Sequence, residues 1–227
     1  MHGQNPKPTF QIISANQNQT DYFIQVAGKI KSLFEYHGFV VKDFQNLSAE
    51  QGKSDFNIVI SIKNSKDSID FVLEIFDNCW GTNIASSHLL VKSQDIDIKE
   101  LSLVLCDEIF GTLTSYFEDM FKNGQIIKLT IKSSTNLNSD IKTTKGTMVL
   151  FNYIDEYIQS KSLDKPQITQ QTEFDIIYKL KIPKFDNKNR SISGLSFGNE
   201  LKKYFNSASN LKPQLTSISI FEIELGL

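Results

Sequence analysis

Residues 54–124 constrain this chain more than any other stretch. Ile58, Ile60 and Ile62 alternate with polar Asn57 and Ser61, and Ile69, Phe71, Leu73 and Ile75 alternate with Asp70 and Glu74. A period of two puts each apolar set on one face of a strand. The link Asn64-Ser65-Lys66-Asp67 is turn chemistry, so the two runs predict an antiparallel hairpin. Asp77, Asn78 and Gly81 mark the next turn, and residues 83–91 predict a third, weaker strand. Asp97, with Glu100 three residues on, reads as a capping box. A helix then runs to about Asn123, with Ile98, Leu101, Leu105, Ile109, Leu113, Tyr116, Phe117 and Met120 at helical spacing. Gly124 supplies the left-handed stop. Gly111 weakens the middle of this helix by about 1 kcal/mol relative to Ala.

A strand–helix pair precedes this run. Residues 9–14 predict a strand, 15–19 a polar loop, and Thr20 the cap of a helix reaching His37, with Gly38 after it. Residues 39–44 (FVVKDF) read as a short strand, and 45–53 are polar. A second series follows: a strand at 126–131, a polar loop at 133–140, a helix over 145–160, and a long half-buried strand from Phe174 to Ile182, ended by Pro183. An exposed turn at 185–193, a short helix at 195–205 and a closing strand at 216–225 complete it. The class is α/β, or α+β, with mixed sheets. Its expected organisation is two tandem small units, tightly docked. Residues 1–8 form a tail, 9–124 the first unit and 125–227 the second.

The chain has 227 residues, 40% of them hydrophobic and 22% charged, enough to bury a real core. The net charge of −2 is unevenly divided. Residues 1–124 hold 10 Lys+Arg against 16 Asp+Glu, a balance of −6; residues 125–227 hold 14 against 10, a balance of +4. Opposite signs favour docking of the halves, although two unrelated solvated faces give the same count. Arg190 is the only arginine, which with the acidic balance argues against a nucleic-acid partner. No apolar run approaches the ~20 residues of a membrane span, so no transmembrane segment is expected.

The residue types that carry chemistry are sparse. His2, His37 and His88 stand apart, and no HxxxH, HExxH or Cys/His cluster occurs, so neither a metal nor a cofactor is expected. Glu118-Asp119, Asp155-Glu156 and Asp107-Glu108 are adjacent on helices, which aims each pair in two directions, as on solvated helix faces. Residues 194–198 (GLSFG) share the outline of a nucleophile elbow at Ser196, but no strong strand precedes them and every His lies upstream. No catalytic residue is therefore assigned, and the expectation is a protein without enzymatic activity. Trp80, the sole Trp, sits in a turn, where a large aromatic either folds back on the core or is offered to a partner. Phe185, Asp186 and Tyr204 are the other candidate partner-binding residues. Cys79 and Cys106 would close a loop of about 26 residues if paired, worth roughly 3–4 kcal/mol. In a reducing compartment they would instead be small hydrophobes.

Several stretches resemble known families. The start, Gly3-Gln4-Asn5-Pro6, resembles the end of a secretory signal peptide with Gln4 as the first mature residue. The order of strand, helix, FVVKDF, SDFNIVISI, SIDFVLEIFDNCWGT and long helix is similar to α/β domains of bacterial envelope proteins. Among these are the N-terminal domain of TolB, the curli secretion protein CsgG and lipoprotein activators of penicillin-binding proteins. Asp55, Asp77 and Gly81 fill the places of the Asp and Gly residues that recur there. Residues 116–132 and 174–205 resemble an uncharacterised family of secreted Bacteroidetes proteins, a domain of unknown function. These resemblances imply an exported, periplasmic or secreted accessory subunit that binds a protein partner in the envelope or self-associates. A small-ligand-binding protein or enzyme with a site between the units is the alternative function, and the cytoplasm the alternative location.

Overall fold

The computed structural model describes residues 7–15, 21–42, 54–92, 97–185, 192–209, 211–217 and 221–227. Most of the expected tail, the Thr20 cap, the polar stretch 45–53 and most of the 185–193 turn lie outside them. The chain divides into two compact units, Pro6–Glu118 and Asp119–Leu227.

In the first unit, β1 (Thr9–Ser14), β2 (Val40–Lys42), β3 (Phe56–Asn64), β4 (Ser68–Asp77) and β5 (Thr82–Lys92) form one sheet in the order β2-β1-β3-β4-β5. β1 lies parallel to both β2 and β3, while β3, β4 and β5 run antiparallel in sequence. α1 (Asp21–Tyr36) links β1 to β2, and α2 (Ile98–Asn123) follows β5. The period-two pattern is realised: Ile58, Ile60, Phe71, Leu73 and Ile75 are all buried on one face. Burying each such side chain stabilises by about 1.5–3 kcal/mol. Rings from both helices close over that face. Phe34 of α1 meets Phe10 at 5.2 Å and Phe110 of α2 at 4.9 Å, and Phe117 of α2 meets Phe56 at 5.8 Å. Asp97 Oδ1 accepts the backbone N–H groups of Lys99 and Glu100, which is the Asp97 half of the expected capping box, and Gly38 has φ 84°.

One end of this sheet is tied by polar groups. The buried Asp55 carboxylate accepts Thr9 N at 2.8 Å and Thr9 Oγ1 at 2.7 Å. Asn78 Nδ2 donates to Ser54 O and Asn57 Oδ1, both at 2.9 Å. Asp77 Oδ1 accepts Cys79 N at 2.7 Å. These bonds satisfy buried polar groups where the β4–β5 turn meets the start of β3.

The second unit contains β6 (Gln125–Lys132), β7 (Asp140–Thr143), β8 (Gly146–Val149), α3 (Leu150–Lys161), β9 (Gln167–Gln171), β10 (Asp175–Ile182), α4 (Gly194–Ala208), β11 (Gln214–Ser217) and β12 (Glu222–Gly226). Five of its strands make a sheet in the order β11-β12-β6-β10-β9, with β12 parallel to β6 and the other pairs antiparallel. Ile127, Leu129, Tyr178, Leu180, Ile223 and Leu225 join Ile154 and Ile158 of α3 and Leu201 and Phe205 of α4 in one core. The opposite face carries ion pairs, Lys128 with Glu222 at 2.7 Å and Lys132 with Glu224 at 2.9 Å.

Two expectations for this unit are corrected, and one strand is added. The helix read over 145–160 begins only at Leu150. Residues 140–149 are a hairpin turning at Gly146, whose φ of 114° an L residue rarely adopts. The closing strand is two antiparallel strands, β11 and β12. The sequence carries no signal for β9, whose five residues are all exposed and lack apolar alternation.

Candidate functional site

The surface that stands out in the second unit is built where α2 ends and β10 stops. Pro183 lacks an N–H and ends β10. Ile192 N donates to Lys184 O at 2.7 Å, so these two positions lie side by side. Gln125, 2% exposed, holds that crossing: its Nε2 donates to Ile192 O at 2.8 Å, and its Oε1 accepts Lys184 Nζ at 3.5 Å. This places Phe185 against the last turn of α2, where its ring stacks on Phe121 at 6.0 Å and 27°. Lys184 Nζ lies 5.6 Å from the centre of the Phe121 ring. Burial holds the Lys184 ammonium below the usual lysine range. Phe121 is 56% exposed, Phe185 41% and Leu163 52%. Leu163 rests on Gly124, where an added Cβ would lie 2.5 Å from its Cδ1.

The arrangement is two stacked aromatic rings, one partly desolvated cation and a neighbouring aliphatic side chain. It offers an apolar surface with a positive member, suited to contact with another macromolecule. Phe121 was missed in the sequence because it lies four residues beyond Phe117 and reads as one more turn of the buried stripe.

The candidate residues fall apart. Trp80 is half-buried in the β4–β5 turn of the first unit. Phe185 is exposed in the second, and Asp186 lies outside the described residues. Tyr204 is not a free surface aromatic: it stacks on Tyr157 at 4.1 Å and Tyr153 at 5.3 Å, packing α4 on α3. Cys106 is buried within α2, and burial pushes its thiol up to about 12. Cys79 sits in the β4–β5 turn, and the two are not joined by a disulfide.

The other polar candidates have structural partners. Ser196 Oγ accepts Ser193 N at 2.7 Å and donates to Ser193 O at 2.9 Å, closing the capping box of α4. His37 packs on the Phe110 ring at 4.0 Å, and His88 bonds Asp70 at 2.5 Å. Asp155 accepts Tyr178 OH at 3.3 Å. Among the described residues no group of three His, Cys, Asp or Glu side chains is placed to hold a metal ion. No helix among them is long and apolar enough to cross a membrane.

A family model described as "Domain of unknown function (DUF6175)" matches residues 125–221. No curated protein matches the chain. Three solved structures resemble parts of it. TolB from Acinetobacter baumannii matches with a TM-score of 0.38 and 16% identity over 61% of this chain, which spans 35% of the TolB chain. The PelC dodecamer from Paraburkholderia phytofirmans matches at 0.35 and 10% over 47% of this chain and 86% of that one. Lipoprotein GNA1162 from Neisseria meningitidis matches at 0.29 and 10% over 48% of this chain and 99% of that one.

Proposed function

We propose that this chain is a non-enzymatic, exported accessory subunit of the cell envelope, and that it binds a protein partner through the surface around Phe121 and Phe185. The observation that carries the reading is the stacked, exposed Phe121–Phe185 pair, with Lys184 lying over the Phe121 ring. Two large rings left in water next to a well-filled core are costly unless a partner covers them, and aromatic anchors of this kind dominate protein interfaces. Gln125 braces the segment that carries Phe185, so little conformational freedom is lost on docking.

The test compares partners cross-linked in the native host to the full chain and to a Phe121→Ser/Phe185→Ser variant. The variant is expected to lose the partner of the unaltered protein while melting within a few degrees of it. An unchanged set of cross-linked proteins would remove Phe121 and Phe185 from the interface. Fractionation of the same cells tests export: recovery in the cytoplasmic fraction overturns that part of the reading.

A further inference from the structure

Among the described residues the two five-stranded sheets have four edges. β9 has five residues and pairs with β10 across a register shift, β11 follows Pro213, and β2 is described over three residues. Short, irregular or proline-flanked edges resist pairing with another chain. β5 is different. It is 11 residues long, contains no Pro, and carries Lys92 at its end as its one lysine. Its irregularity lies at its start, opposite Ile75 and Phe76, which leaves a regular edge over residues 85–92. Leu90 on that edge is 63% exposed. Among the described residues no strand pairs with the outer side of β5.

We propose that this edge is the interface of a two-fold homodimer, in which β5 pairs antiparallel with β5 of a second copy about His88. The choice of a second copy rests on self-complementarity. In that register Leu89 faces Ser87 of the other copy, Leu90 faces Ser86 and Val91 faces Ala85. Leu89, Leu90 and Val91 each meet a small side chain, so the strands approach closely at these three pairs, which fill space on both faces of the pleat. His88 meets His88 at the axis, each imidazole staying bonded to its own Asp70. The β5-containing sheets of the two copies become one continuous sheet of ten strands, and a closed two-fold pairing leaves no second β5 edge for further growth. The contact is narrow, so the expected state is a reversible monomer–dimer equilibrium.

Sedimentation velocity on the full chain over about a hundredfold range of concentration tests this. The unaltered protein is expected to pass from monomer to dimer. Ser86→Lys/Leu90→Lys puts Lys opposite Lys twice across the axis and should raise the dissociation constant about tenfold. It leaves the fold intact, because within one chain residue 86 lies opposite Glu74 and residue 90 opposite Asp70. Ser86→Lys/Leu90→Glu puts Lys opposite Glu twice and should restore the dimer. Phe121→Ser/Phe185→Ser should dimerise as the unaltered protein does, which separates this edge from the partner surface. A monomer at every concentration overturns the proposal, as does dimerisation of the double-lysine variant at unaltered strength. Restoration that fails overturns the His88-centred register.

Discussion

Gly124 and Gly38 both have positive φ, 91° and 84°, yet their surroundings differ. Around Gly38 nothing lies within 4 Å of an added Cβ. Around Gly124 the Cβ would lie 2.7 Å from the carbonyl oxygen of Ile182 and 2.5 Å from Leu163 Cδ1. Leu163 can rotate aside, but Ile182 O belongs to β10 and cannot move without dragging the strand. Gly38→Ala is therefore expected to cost only the backbone term, about 1–2 kcal/mol. Gly124→Ala should cost that plus about 1–3 kcal/mol for forcing backbone apart. At roughly 2–4 °C per kcal/mol for a chain of this size, the two variants should melt at separate temperatures, Gly124→Ala several degrees lower. Urea titration followed by far-ultraviolet circular dichroism supplies the free-energy difference directly. Equal destabilisation by the two substitutions would refute the close approach of β10 to the α2–β6 junction, and with it the brace under Phe121.

Four further outcomes are expected. Lys184→Met should remove a pH dependence of stability: burial disfavours the ammonium and lowers its folded pKa below the ordinary 10.5, so the unfolded chain binds that proton more readily. The stability of the unaltered protein relative to the variant should therefore rise as pH climbs from the folded value to 10.5. Asp55→Ala removes the carboxylate that accepts Thr9 N and Oγ1 and should destabilise the first unit by about 2–4 kcal/mol in denaturant titration, with Thr9→Ser nearly neutral. Iodoacetamide followed by mass spectrometry should leave Cys106 unlabelled in the native protein and label both cysteines after unfolding without reductant; an unlabelled unfolded chain would reveal a disulfide. Finally, the β5 dimer joins two copies of a half that carries −6, so it should tighten as salt rises, whereas assembly of that half onto the +4 half of another copy would loosen.

The elements most legible in the sequence are those with local chemistry. Alternating Ile58, Ile60 and Ile62 against Ile69, Phe71 and Leu73, joined by Asn64–Asp67, could hardly be other than a hairpin. Asp97 and Gly124 bracket α2 because a side-chain acceptor and a residue free to take positive φ are what helix ends require. The failures have physical causes too. Met148 and Phe151 keep a helical interval across the β8–α3 boundary, and the signal that breaks it is Gly146. The start of α3 has no side-chain cap; Leu150 N and Phe151 N donate instead to Ser139 O and Leu137 O, partners the sequence does not reveal. Sheet order is equally hidden, since β1 pairs with β3 in parallel across more than forty intervening positions. Of the candidate surface, Phe185 was legible as an aromatic in a turn. Phe121 and Gln125 were not, because their roles arise only when Ile192 folds back beside Lys184.

The two units share a plan and differ in how they leave surface uncovered. Each packs both of its helices on one face of a five-stranded sheet. In the second unit the opposite face is closed chemically: Lys128 and Lys132 pair with Glu222 and Glu224, so a partner landing there would first have to strip water from ion pairs. Its β9 edge is irregular, and β11 follows Pro213. Phe121 and Phe185 stack, both exposed, beyond the end of β10. In the first unit the sheet end is instead occupied by the Thr9–Asp55 and Asn78–Asn57 bonds. Its least protected feature is the β5 edge. One unit therefore presents side chains and the other presents backbone. Side-chain anchors discriminate between partners by shape, whereas an open strand accepts any compatible extended segment. In the two proposals made above, the unselective edge is occupied by a second copy and the selective surface by a different protein.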